Sequence, residues 1–408
     1  MSPSLRFPEF TGEWKEERLS EIADIYKGAG ISKDQLSDNG EPCILYGELY
    51  TKYKTETITE VISRTDIDNT KLVRSKANDV IIPCSGETAE DIATARCVIK
   101  DGILLGGDLN IIRLHNYDGS FVSYQLNGKR KYDIAKVAEG VSVVHLYGEH
   151  LKGVKTVNPC LAEQKKISRF LSLLDERIAV QNRLIEDLKK LRCAIIENVF
   201  CSPNHNESAL RFKGNTDPLS TYRMEDFCSR ITRKNKDNQC SLVLTIAAQY
   251  GLVDQESFFN KTVASENLAG YYLLHKGEFA YNRSYSAGYD WGAVKRLEKY
   301  PEGVLSTLYI CFKIDESAVD SDYLAYYFES TKWHKGLSDI AGEGARNHGL
   351  LNVSVNDYFN TRHRFHCMRE QKIIASMLNV ISQKENDEIA LYDNYQKQKQ
   401  YLLRKVFI

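Results

Sequence analysis

Two tracts carry the side chains best suited to reading another molecule's edges. NRSYSAGYDWG, at 282–292, sets Arg283, Ser284, Tyr285, Tyr289 and Trp291 among glycines, and ARNHG, at 345–349, sets Arg346, Asn347 and His348 on a glycine-flanked loop. An arginine fork matches the two acceptors of guanine and a carboxamide matches the donor and acceptor of adenine, so this is the chemistry of base-edge recognition in a DNA groove. A second group lies earlier: Ser85 in CSGETAED, Lys129 and Arg130 in NGKRK, and Ser142 and His145 in GVSVVH. The run RITRKNK adds Arg230, Arg233 and Lys234, cations fit for phosphate contacts. A basic run alone is ordinarily a solvated face. What raises these residues to candidates is their recurrence at matching places of an internal repeat.

Catalytic patterns are missing. The sequence has no phosphate-binding G-x-x-x-x-G-K-[ST] loop, no H-E-x-x-H, no G-x-S-x-G elbow and no kinase set, so no reaction is indicated for this chain itself. NPCL at 158–161 comes nearest to a methyltransferase tetrapeptide, but its proline is explained as a residue that starts a helix. Ten cysteines occur without a C-x-x-C pair, and Cys201 with His205, or His363 and His366 with Cys367, lack a second ligand pair; reduced thiols are expected, with no metal and no cofactor. With 42% hydrophobic and 27% charged residues, and no long apolar run or signal-like start, a cytoplasmic protein without a membrane partner is expected. The net charge of −1 gives no global footprint for nucleic acid; a positive surface would have to come from local clusters and from partners.

The elements that hold these residues are written twice. Cys160–Phe200 can be laid on Cys367–Phe407 without a gap, matching Glu163 to Glu370, Gln164 to Gln371, Ile167 to Ile374, Leu171 to Leu378 and the closing Val-Phe pairs. LRF at Leu5–Phe7 recurs at Leu210–Phe212, and RLSEI at Arg18–Ile22 corresponds to RMEDF at Arg223–Phe227. Repeats of this size make the chain two copies of one unit. The expected organisation is a first recognition domain at 1–158, a long helix at 159–200, a linker at 201–218, a second recognition domain at 219–365 and a second long helix at 366–408. Each domain reads as a mixed α/β, β-rich unit. KANDVIIPCSG and HKGEFAYNRSYSAG share a plan of acidic turn, apolar strand and polar glycine loop.

In the helices, apolar residues step by three and four. Gln181 and Arg192 interrupt the first stripe, and Glu385, Glu388 and Lys399 the second. Such polar centres suit a fixed register against one particular helix, so the two are expected to pair with each other as an antiparallel coiled coil. A helix from Ile167 to Phe200 would span roughly 50 Å, on the order of one to one and a half turns of DNA.

LRFPEFTGEWKEERLSEI, GEFAYNRS, and the helix openings EQKKI and EQKII together resemble the specificity subunit of type I restriction-modification systems. The resemblance covers nearly the whole chain, although NPCL and FHCM stand where the family more often has a proline-rich segment. It implies a non-catalytic DNA-recognition protein whose two domains each read half of a split site in double-stranded DNA. It also implies partners: two modification subunits that methylate adenine with S-adenosylmethionine, and restriction subunits that use ATP and magnesium. Two other readings fit the residues, the recognition subunit of a related bifunctional methyltransferase-nuclease system and a coiled-coil scaffold with two ligand-binding lobes.

Overall fold

The computed structural model describes residues 2–68, 70–140, 143–214, 217–261, 267–284, 288–341 and 351–408. Ser142, Tyr285, Arg346, Asn347 and His348 lie outside the described residues. The chain forms two compact units, residues 1–183 with 389–408, and residues 184–388. Both are β-rich, and the two 39-residue helices, Leu161–Val199 and Met368–Val406, each contribute a part to both.

In the first unit a five-stranded sheet runs in the order Ala23–Lys27, Leu109–Leu114, Asp79–Pro83, Arg96–Val98, Thr57–Ile58. The run DVIIP is apolar because its strand is buried on both faces. Val80 and Ile82 pack beside Phe121, Val122 and Tyr124 of the helix Gly119–Asn127, while Ile81 points the other way, towards Ile44, Leu49 and Ile111. Asp118 caps that helix by accepting from Phe121 N at 2.8 Å.

The second unit repeats the plan. Its sheet runs Cys228–Arg230, Ile310–Ile314, Phe279–Asn282, Ala293–Arg296. Ile112 faces Ile25 and Val80 in the first sheet, as Phe312 faces Arg230 and Phe279 in the second. Counting on from these pairs makes Ser284 the counterpart of Ser85, Arg283 of Cys84, and Ile310 of Asn110. A ribbon of Lys15–Arg18 with Lys155–Asn158 leads into the first long helix, and one of Ser220–Arg223 with Arg362–Phe365 into the second.

Why LRF and EQ recur together is now visible, because they touch. Arg6 donates to both oxygens of buried Glu163 at 2.7 Å, and Leu5 N donates to Lys405 O at 3.2 Å. In the second unit Arg211 holds Glu370 at 2.5 Å, and Leu210 N donates to Asn198 O at 2.9 Å. The glutamines act alike: Gln164 accepts from Asp118 N and donates to Pro159 O, and Gln371 accepts from Asp320 N and donates to His366 O. Each short strap therefore ties the start of its own copy's helix to the last turns of the other copy's helix. The closing aromatic residues complete the exchange, with Phe407 5.3 Å from Phe121 in the first core, and Phe200 5.0 Å from Tyr323 in the second.

Arg6→Ala leaves the Glu163 carboxylate buried, with the indole of Trp14 at 3.3 Å as its remaining side-chain donor. A loss of roughly 2–3 kcal/mol is expected for the first unit, since a buried acceptor that loses its charged partner keeps its desolvation cost. Urea unfolding followed at Trp14 checks it; an unchanged midpoint would show that solvent replaces Arg6.

In the first unit the helices run antiparallel, with Lys399 2.7 Å from Asp175 and Arg177 over the ring of Tyr395 at 5.2 Å. Three of the polar breaks lie in ion-pair clusters: Lys399 with Asp175 and Glu56 in the first unit, and Arg192 with Glu329 and Glu385 in the second. Lys399 and Arg192 hold the same place in the gapless helix register.

Candidate nucleic-acid interface

Five of the candidate residues lie in the first unit, and the structure brings two of the described ones together. Ser85 opens a two-residue strand that pairs with Val144–His145, Ser85 opposite His145, with Ser85 Oγ 3.5 Å from His145 Nδ1. The backbones of Glu139 and His145 exchange hydrogen bonds of 2.9 and 2.7 Å. The two residues share a cavity of about 220 Å³ with Tyr26, Lys27, Asn110 and Tyr147. Sequence reasoning missed Tyr26, Lys27, Asn110 and Tyr147. The first two sit at the end of an edge strand, where the pairing Lys27 to Asn110 was the only available signal and required the register.

Lys129 and Arg130 are not in that cavity's lining. Lys129 is exposed just before the helix Lys131–Lys136. Arg130 is more covered, its side chain 18% exposed, and pairs with Asp133 at 3.4 Å.

The second unit uses its basic residues differently. Arg283 donates to Leu308 O at 3.0 Å and to Val353 O at 3.1 Å, so its guanidinium stitches two segments of backbone. Ser284 N is held by Asn282 Oδ1 at 3.0 Å. Within RITRKNK, Arg233 pairs with Glu278 at 2.6 Å and donates to Leu273 O, while Lys234 donates to Gly270 O and lies over the ring of Tyr272 at 4.2 Å. Arg230 is exposed and reaches the hydroxyl of Tyr272 at 3.4 Å. Of these three cations it is the one least engaged by its own fold.

No group of three or more histidine, cysteine or acidic side chains stands together to hold a metal among the described residues, and no described helix is long and apolar enough to cross a membrane. Residues 11–190 match the type I restriction modification DNA specificity domain. That match covers a little under half of the chain and places those residues in the type I restriction-modification DNA specificity domain family. It is 25% identical, over 197 residues, to the type I restriction enzyme MjaVIII specificity subunit of Methanocaldococcus jannaschii; that alignment spans 48% of this chain and 43% of its relative. The fold is similar to that of the S subunit of a type I restriction-modification system from M. genitalium, at 15% identity and a TM-score of 0.59, covering 100% of this chain and 99% of that one. A chain from a structure describing assembly and conformational transition of the type I system gives 14% identity and a TM-score of 0.53, with 98% of both chains covered. Members of this specificity-subunit family are non-catalytic. The β-rich pair of domains and the two long helices packed together are this family's fold.

Proposed function

We propose that this protein is the DNA-specificity subunit of a type I restriction-modification complex, and that each recognition domain reads one half of a bipartite duplex site. Its partners are two modification subunits, which carry S-adenosylmethionine and methylate adenine, and restriction subunits, which carry ATP and magnesium. The observation that carries this reading is the doubling itself: two sheets of one register, each completed by helix segments from both copies, with Ser85 and Ser284 at the same place in each. Ser85 and His145 are assigned to base reading in the first half-site. Exposed Lys27, Lys129 and Arg230 are assigned to phosphates, while Ser142, Tyr285, Arg346, Asn347 and His348 keep their assignment to base reading.

Exchanging residues 1–158 for those of another family member is expected to change one half of the methylated motif, read by methylome sequencing of cells carrying the whole system. A change in both halves, or in neither, would sink the modular reading. Within that frame, Lys27→Ala is expected to weaken binding evenly across sequences and to lower the salt slope by about 1, as for the loss of one phosphate contact. His145→Ala should instead alter preference at positions of a single half-site.

A further inference from the structure

We propose that the Ser85–His145 cavity of the first unit receives a single nucleobase drawn out of the DNA stack. This rests on the DNA-specificity reading and names what that site takes. At about 220 Å³ the cavity is smaller than the roughly 300–1,000 Å³ of pockets for drug-sized ligands, which suits one heterocycle rather than a whole nucleotide.

Its rim carries two aromatic faces, Tyr26 at 45% and Tyr147 at 53% exposure. Both rings are braced before any ligand arrives. Arg113 lies 5.1 Å over Tyr26 and is itself locked to buried Asp79 at 2.8 Å. Tyr147 stands between His145, stacked at 6.2 Å, and His150, edge-on at 5.5 Å. Pre-set aromatic faces are what a base needs when it loses its neighbours, and stacking on them is tolerant of base identity.

The inner wall supplies the polar edge. Asn110 is 3% exposed and donates through Nδ2 to Leu146 O at 2.9 Å, while no donor among the described residues is directed at its Oδ1. A carboxamide offers an acceptor beside a donor, the pattern that pairs with a base edge. Beside it stands Gly148, where a Cβ would lie 3.5 Å from Asn110 Oδ1 and 3.1 Å from Ile25 Cγ2. The missing side chain keeps the carboxamide reachable. The second unit has Arg283 in place of Cys84 and Ile310 in place of Asn110, so the inference concerns the first half-site alone.

A base that must leave the stack binds more readily when its pairing has already been lost. The test uses the complete chain with its modification subunits and duplexes of the mapped motif, in which each nucleotide opposite a base of the first half-site, except the one opposite the adenine that is methylated, is replaced, one at a time, by an abasic residue. At one position the wild-type complex is expected to bind roughly tenfold tighter or more. That gain should vanish in Tyr147→Ala, which removes a half-exposed ring from the rim, and in Gly148→Leu, which fills the cavity. A gain that persists in both variants would place the extruded base in a partner subunit, and no gain at any position would show that no base leaves the stack; either overturns the inference. Absence of sequence-specific binding to the unmodified duplex would instead overturn the DNA-specificity reading.

Discussion

Lys399→Met is expected to destabilise the first unit by about 3–5 kcal/mol, the range for breaking a buried ion pair from one side. Lys399 Nζ lies 2.6 Å from Glu56 and 2.7 Å from Asp175, with side-chain exposures of 12%, 8% and 6%. Burial opposes the lysine's charge, but Glu56 and Asp175 outweigh it and hold the ammonium above the usual lysine range. Burial also pushes the Asp175 carboxyl up, even with Lys399 beside it. Methionine keeps the length and loses the charge, leaving two carboxylates with the hydroxyl of Tyr124, 2.6 Å from Asp175, as their remaining close donor. The sign of the pH response follows. A carboxyl whose pKa is raised in the folded state destabilises at high pH and is relieved as pH falls through that value, so the deficit should shrink between pH 7 and pH 5. Adding Asp175→Asn should restore most of the loss, because Glu56 then faces the buried Arg96 and no carboxylate is left without a counter-charge. Urea unfolding followed at Trp14 measures all three. A deficit below about 1 kcal/mol, unchanged with pH, would mean that water relieves the carboxylates. Arg192→Met in the second unit should cost less, since Glu329 is 31% exposed.

The same ion pairs mark what the sequence could and could not tell. Lys399 and Arg192 were legible as breaks in an apolar stripe, and a break in a seam predicts a specified partner. That the partners include Glu56, far away in a recognition domain, was not legible, because no local pattern encodes a contact across the chain. The long helices, the repeat and the β-rich domains could be read from periodicity and self-similarity, which are local or additive signals. The candidate site was only partly readable. Ser85 and His145 were found through glycine loops, yet Arg283 and Arg233, the most suggestive cations by type, turn out to brace their own backbone. Residue type states what a side chain can donate; burial and register decide to whom. Asn110 and Gly148 show the converse, an ordinary strand residue and an ordinary helix start that become notable only when the sheet brings them to one wall.

Lowering the pH from 7 to 5 is expected to cost the second unit about 4 kcal/mol through two histidines. His363 is fully buried, with Tyr327 Oη 3.0 Å from Nδ1 and Thr361 Oγ1 2.9 Å from Nε2, among the rings of Phe227, Phe328 and Phe365. Burial holds its pKa down to about 3. His366 has Tyr323 Oη 2.8 Å from Nδ1, with Glu370 4.0 Å from Nε2 and Arg211 beyond; burial, only partly opposed by Glu370, holds it down to about 4. Both are neutral in the folded state and titrate near 6.5 when unfolded. Their contribution is therefore complete above pH 6.5 and is lost as pH falls from there towards 4 and 3, at about 1.4 kcal/mol per unit for each. His334, which burial also lowers, works in the same direction. The first unit has Thr156 and Pro159 at the places of His363 and His366 and lacks this pair. In a Trp14→Phe chain, Trp291 and Trp333 report on the second unit, and their urea transition should move to lower denaturant between pH 7 and pH 5. Chains keeping Trp14 alone should show a much smaller shift over the same window. A second-unit transition that does not move would mean that the two histidines are protonated in the folded protein, and that the polar contacts around them hold a charge rather than exclude one.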